Sequence, residues 1–211
     1  MSAKKLDIAA MGRKDVVACA ELSVRAFAEY EYFTNFFPLR EERLSFMRAL
    51  IASEYRTTRR RAHFLMGRLD NSPAAVADLF PPHWRKPSDL QYLTHGWLKV
   101  LRLPNQDVVK EWLAMDTKAG LFCHNMLGGS TWYLSSLTVD PSCQGLGLGK
   151  EMLLDVVVPY VGSHGGTRLC FFTNSESNVA FYQHLGFEVA NYQELMCRGK
   201  RMGSWDFVLD I

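Results

Sequence analysis

Apolar and polar positions along the chain follow two different periods, and the switches between them mark out its elements. Leu6 to Arg13 reads as a short first strand. Val16, Ala20, Val24 and Phe27 then recur at helical spacing, which puts one apolar stripe on a helix over about 14–29. The aromatic run from Tyr30 to Phe37 ends it at Pro38, and Leu44, Met47 and Ile51 resume the helical period from Arg40. That second helix runs into Arg56, Arg59, Arg60 and Arg61, cations that suit a helix C-terminus or could attract phosphates. His63 to Leu69 and Ala74 to Phe80 flank the turn sequence Asp70-Asn71-Ser72-Pro73, so a hairpin is expected.

Pro81-Pro82 stops the hairpin, and Trp84, Trp97 and Trp112, with Val108 and Met115 at helical spacing from the last, indicate a helical insertion over about 81–131. Beyond Gly128-Gly129 the order is a strand Trp132–Val139, a helix Lys150–Tyr160, a strand Thr167–Thr173, a helix Asn178–Leu185, and strands Phe187–Glu194 and Ser204–Leu209. Pro159 should kink or end the first of these helices. The alternation predicts one α/β domain over 1–211.

Composition narrows the function classes. With 211 residues, 48% of them hydrophobic, the chain can build a substantial core, and a net charge of +2 gives no electrostatic footprint of a nucleic-acid binder. The five cysteines are scattered and form no C-x-x-C pair, so free thiols and no metal site are expected. No continuous apolar run suggests a leader or a membrane span, and a soluble, cytoplasmic protein is expected.

Between the strand ending at Val139 and the next helix lies Asp140-Pro141-Ser142-Cys143-Gln144-Gly145-Leu146-Gly147-Leu148-Gly149-Lys150. Alternate glycines let the backbone approach a ligand and turn N–H groups outwards at the positive end of a helix, which suits a pyrophosphate. The dinucleotide pattern G-x-G-x-x-G fails at Lys150 and Met152, and the P-loop pattern fails at Gln144 and Glu151. A tight turn without a ligand would explain the glycines but neither Gln144 nor the run from Asn178 to Phe187. Cys143 has no activating neighbour in sequence and is not read as a nucleophile.

The pattern that matches is Q-x-x-G-x-G, Gln144 to Gly149, directly after a strand ending Leu137-Thr138-Val139, with Asn178-Val179-Ala180-Phe181-Tyr182-Gln183-His184-Leu185-Gly186-Phe187 about thirty residues on. These two motifs, in this order, resemble the Gcn5-related N-acetyltransferase superfamily over about 132–189. The aromatic end of the first helix, the hairpin ending at Pro82 and the long insertion are similar to the puromycin N-acetyltransferase group within it. The resemblance implies an acyl-CoA N-acyltransferase fold, a central mixed and mostly antiparallel sheet flanked by helices, with the insertion before the fourth strand. It implies acetyl-CoA as cosubstrate, bound by Leu137, Thr138, Val139, Gln144, Gly145, Leu146, Gly147, Leu148, Gly149, Lys150, Asn178, Phe181 and Tyr182. Asn178 also suits a helix N-cap.

Acetyl transfer to an amine needs a neutral nucleophile, a polarised thioester carbonyl and a proton for the departing thiolate. Backbone N–H groups around Leu137 are the expected carbonyl donors, and Tyr182 the expected acid, unless it merely packs with Val179 and Leu185. Glu29 is the leading candidate for the base, with Glu31, Asp78, Asp116, His124 or a water chain as alternatives. Trp84, Tyr92, Trp97 and Trp112 either wall an acceptor pocket against 29–37 or pack the insertion down. The expected partners are acetyl-CoA and a small amine, with the chain a monomer or homodimer; a peptide or O-acyl transferase and a non-catalytic acyl-CoA sensor remain as alternatives.

Overall fold

The computed structural model describes residues 5–211; Met1 to Lys4, on which the expectation of no leader partly rests, lie outside them. Seven strands form one sheet: β1 (Asp7–Ala10), β2 (His63–Leu69), β3 (Ser72–Phe80), β4 (Thr131–Val139), β5 (Arg168–Thr173), β6 (Glu188–Cys197) and β7 (Lys200–Asp210). The spatial order is β1-β2-β3-β4-β5-β7-β6, and every neighbouring pair is antiparallel except β4 and β5. The sheet is therefore mixed and mostly antiparallel. β1 is shorter than expected because Asp15 accepts the Gly12 N–H at 2.9 Å and turns the chain into the first helix. β6 and β7 are longer, since Arg198 and Gly199 both adopt positive φ and close a two-residue hairpin between Cys197 and Lys200.

Side-chain alternation divides the core between the two sheet faces. Ala75, Ala77 and Leu79 of β3 pack with Leu134, Leu169 and the helix over 148–163. Val76 and Phe80, on the other face, meet α1 (Val16–Phe27) and α3 (Arg40–Thr58) through Cys19, Ala20 and Tyr55. The short helix α2 (Glu31–Thr34) and the insertion helix Gln106–Met126 complete that side. There Trp112 is buried among Phe33, Phe46 and Met115.

Pro159 does not end its helix. The chain stays helical over 148–163, with wider π-type turns at Glu151–Val157 ahead of the proline. Proline lacks only its own N–H, and the wider turns relieve the clash between its ring and the preceding carbonyl. That helix also begins at Leu148 rather than Lys150, because Gly147 at φ +76° serves as its N-cap. None of the helices among the described residues is long and apolar enough to cross a membrane.

β4 and β5 pair only at Thr131 with Arg168, Trp132 with Leu169 and Tyr133 with Cys170. At this closed end Gly166 lies against Trp132 and Val161, and a methyl group there would sit 2.6 Å from the indole Cδ1. Gly166→Ala is expected to destabilise the protein by about 1–3 kcal/mol, the usual cost of overpacking. Urea unfolding with an unchanged m-value would check it; a midpoint equal to the parent's would show that the contact is not tight.

Candidate active site

Beyond Tyr133 the two parallel strands separate. β4 continues to Val139 and β5 to Thr173 without a further pair between them, so the β5-facing backbone groups of this part of β4 have no strand partner. An extended amide chain can use such an edge. The opening is shaped by a bulge: Asp78 pairs with Ser136 while Leu79 pairs with Leu134, which leaves Ser135 unpaired. The extra residue also shifts the alternation of β4. Leu137 and Val139 pack towards the 148–163 side, and Ser136 and Thr138 turn towards α1 and α3. Thr138 is buried with its hydroxyl 3.3 Å from Ser23, so only its backbone is offered to the opening.

The loop after β4 lies at the open end. Asp140 accepts from the Ser142 N–H at 2.9 Å and is paired with Arg25, which anchors the turn. Gly145 and Gly147 adopt φ of +80° and +76°, conformations that a side chain would strain. Among the described residues the N–H groups of Gly145, Leu146 and Gly147 donate to no backbone acceptor, and these residues, like Gln144 and Lys150, are exposed. Leu148 differs: its side chain is buried core, and only its N–H belongs to the helix N-terminus. Gly149 is helical, and a Cβ there would be in ordinary contact with Phe181 and Val139, so it fits the loop helix against the next motif.

That motif sits on the helix Glu176–His184, at the same end of the sheet because β5 runs parallel to β4. Ser175, not Asn178, is the N-cap; Asn178 is in the first turn and donates to Thr173 Oγ1 at 3.4 Å. Phe181 is exposed beside Gly149. Tyr182 is half-buried, its ring against Phe171, Phe187 and Phe207, and its hydroxyl has no hydrogen-bond partner among the described residues. Burial, and behind it the nearby Tyr30, raises its pKa above the ordinary phenol value. It therefore stays protonated, though as a weaker acid than a free phenol.

Three acid–hydroxyl pairs and a tyrosine contact lie on this side of the sheet. Ser136 Oγ donates to Asp78 Oδ2 at 2.9 Å. Tyr92 donates to Glu54 at 3.2 Å, and Tyr32 to Asp116 at 2.7 Å. Tyr32 stacks on Tyr30, whose hydroxyl accepts the Asn174 N–H at 2.7 Å and lies 3.2 Å from Thr173 Oγ1. Burial is the first cause of raised pKa at all three acids. It pushes Asp78 up to about 8, with help from the charge of Glu54 and against the Ser136 hydrogen bond. It pushes Glu54 up to about 7 and raises Asp116.

Asp78 and Asp116 are legible in the sequence as candidate bases; Glu54, Ser135, Ser136 and Tyr30 are not. Glu54 had a signal, since it continues the Met47, Ile51 stripe by one more helical step and so places a carboxylate on an apolar face. Glu29 is corrected. It is 70% exposed, and both its oxygens accept from Arg43 Nη2, at 3.1 and 3.0 Å, while that guanidinium is 4% exposed. Its carboxylate anchors Arg43 between α1 and α3 instead of standing free as a base.

Glu31 is exposed on α2, and His124 stacks on Trp84. The space expected between 29–37 and Trp112 is filled: Trp112 stacks on Phe33 at 5.3 Å and donates to the Tyr32 carbonyl at 2.9 Å. Trp84 stacks on Phe80, and Trp97 meets Tyr92 edge-on. The arginines over 56–61 precede His63, which pairs with Leu79 near the closed end, whereas Ala75 pairs with Val139 at the open end. They are thus at the opposite end of the sheet from the glycine loop.

Comparison with known proteins agrees with this fold. Among solved structures, the ribosomal-protein-S18-alanine N-acetyltransferase from Escherichia coli is 16% identical, with a TM-score of 0.58 over 98% of this chain and 94% of that one. A GCN5-related N-acetyltransferase from Rhodopseudomonas palustris is 13% identical, with a TM-score of 0.60 over 100% and 99%. An acetyltransferase from Bacillus subtilis in complex with CoA is 14% identical, with a TM-score of 0.52 over 98% and 99%. No curated protein sequence matches the chain. The sequence profile of the acetyltransferase (GNAT) family matches residues 26–187, from the end of α1 through both motifs, and the chain belongs to that family of acyltransferases.

Proposed function

We propose that the protein transfers the acetyl group of acetyl-CoA directly to the amine of a small molecule. The observation that carries this reading is the opening between β4 and β5, with unpaired backbone groups along one wall and the free N–H groups of Gly145, Leu146 and Gly147 at its mouth. Pantetheine would pair with the β4 edge, and the pyrophosphate would accept from the loop. The CoA complex of the Bacillus subtilis relative supports the same donor here. The small acceptor is supported by the insertion, whose Tyr92 covers the Glu54 carboxyl of α3.

The reaction needs no covalent enzyme intermediate. The amine lone pair attacks the thioester carbonyl carbon, and the oxyanion is stabilised by backbone N–H groups near the bulge. The carbon–sulfur bond then breaks, and Tyr182 donates its proton to the leaving thiolate. The proton lost by the amine passes through the Ser136 hydroxyl to Asp78, 2.9 Å away, in place of Glu29. Solvent then restores both groups.

Measuring free thiol release from acetyl-CoA across amines, alcohols and peptides tests the reading; small primary amines are expected to react fastest, and release only with peptides or alcohols would overturn it. The loop assignment is checked by melting temperature, which acetyl-CoA raises by binding only the native state. Gly147→Asp should abolish that rise, because an L side chain is strained at φ +76° and a carboxylate repels the pyrophosphate. Tyr182→Phe keeps the ring packing and should lower kcat by about 10²- to 10⁴-fold while leaving the acetyl-CoA shift in place.

Asp78 gives a pH test. Its carboxyl ordinarily titrates at 3.8 and in the fold at about 8, so between these values the native state holds a proton that the unfolded chain has lost. Its contribution to stability therefore declines from about pH 4 to about pH 8 and is constant above. In the same protein kcat/KM should rise towards pH 8 as Asp78 becomes able to accept a proton. Asp78→Asn should flatten both curves in that window, measured by urea unfolding and initial rates.

A further inference from the structure

We propose that Tyr30 donates a hydrogen bond from its hydroxyl to an amide carbonyl of the pantetheine arm, from the β5 side of the opening. This rests on the coenzyme reading above and adds a residue to the same site.

Thr173 ends β5 and Asn174 follows it, beyond the last pair that β5 makes with β4. By alternation Thr173 shares a face with Phe171, which meets Tyr182. Tyr30 comes from the other side of the sheet, from the aromatic turn between α1 and α2, with its ring against Phe27 and Tyr32. Its hydroxyl reaches both residues at the end of β5, 2.7 Å from the Asn174 nitrogen and 3.2 Å from Thr173 Oγ1. The phenol therefore bridges the two faces beside the opening. Both of its supports are fixed: Asn174 Nδ2 donates to the Gly203 carbonyl at 2.9 Å, and Arg43 ties down the aromatic turn through the carbonyls of Ala28 and Phe37.

The donor count decides where the Tyr30 proton goes. A hydroxyl oxygen offers two lone pairs and one proton. Thr173 Oγ1 accepts the Ser175 N–H at 3.3 Å and the Asn178 amide at 3.4 Å, so its own proton is directed to Tyr30. Tyr30 then accepts from Thr173 and from the Asn174 N–H, which fills both of its lone pairs. Its proton is left over, with no acceptor among the described residues. Burial raises the Tyr30 pKa above the ordinary phenol value, which keeps that proton in place.

A polar hydrogen without an acceptor at the edge of a site is matched at least cost by a ligand. Tyr30 is half-buried, so a ligand in the opening reaches it. An acceptor amine is the wrong partner, since a hydrogen bond to its lone pair would block the attack on the thioester. The pyrophosphate lies at the glycine loop that follows β4. A pantetheine arm along the β4 edge faces the end of β5 and carries neutral amide carbonyls, the acceptors that suit a neutral phenol.

The test is calorimetry on the full chain, comparing CoA with phosphoadenosine diphosphate, the same nucleotide without its pantetheine arm. CoA should bind the parent protein more tightly. Tyr30→Phe keeps the ring packing and should weaken CoA about three- to tenfold, the scale of one hydrogen bond, with the Kd of the nucleotide unchanged. Thr173→Val removes the donor that turns the Tyr30 proton outwards and should weaken CoA in the same selective way, whereas Thr173→Ser should keep the parent Kd. If Tyr30→Phe does not fold, the two Thr173 variants carry the comparison.

Equal losses for CoA and the nucleotide would show a structural role and overturn the inference, and so would an unchanged CoA Kd in Tyr30→Phe. Equal binding of the two ligands to the parent would overturn the pantetheine reading and the inference with it. If CoA binds but acetyl-CoA releases no thiol with any acceptor, the acetyl-transfer reading fails, and the binding comparison still decides the role of Tyr30.

Discussion

Everything that the site offers depends on how briefly β4 and β5 are joined. A parallel pair normally continues as far as both strands do, because each unpaired backbone group buried away from water is costly. Here three residue pairs close one end and the strands then part. The groups of β4 beyond that point are left without a strand partner, and the two segments that come after these strands, the glycine loop and the Glu176–His184 helix, are delivered to the open end. The fold supports this opening with well-packed material on each side: Leu134, Leu169 and Phe171 beneath, Tyr55, Phe80 and Tyr133 above.

The bulge at Ser135 ties that geometry to the chemistry. Without the extra residue Ser136 would share the face of Leu134, in the apolar core. With it, Ser136 faces Asp78, and a hydroxyl lies between a buried carboxyl and the opening. A single residue of slip is enough, because side chains along a strand alternate with a period of two. The same alternation on β3 puts Asp78 between Val76 and Phe80, on the face that α1 and α3 cover.

The two faces of the sheet are thereby divided by task. The 148–163 side is apolar and holds the strands and the loop helix in place. On the other side, the aromatic turn and the insertion helix make a core of their own around Trp112, and their polar edge supplies Tyr32 and Asp116. Arg43 belongs to this arrangement. Buried between α1 and α3, it donates to the carbonyls of Ala28 and Phe37 as well as to Glu29, and so fixes the aromatic turn that carries Tyr30 and Tyr32.

The parts legible from the chain alone are those in which local conformation and chemistry are contiguous. The glycine loop is one, since positive φ at Gly145 and Gly147 and exposed N–H groups follow from neighbours in sequence. The helix that carries the Asn178 to Phe187 motif and the β2–β3 hairpin are others. Of the two local expectations at Pro159, a kink or an end, the end does not occur, because the helix is held by burial of Met152, Leu153, Val157 and Val161 and widens its turns to keep them. The pairing of Glu29 was not legible, because its nearness in sequence to the aromatic turn does not reveal Arg43 on the next helix. The splay of β4 from β5, the bulge, and the burial of Glu54, Asp78 and Asp116 beside neutral hydroxyls were decided only in three dimensions. They depend on strand register and on burial, which raises the cost of a charge according to what surrounds it and not what precedes it.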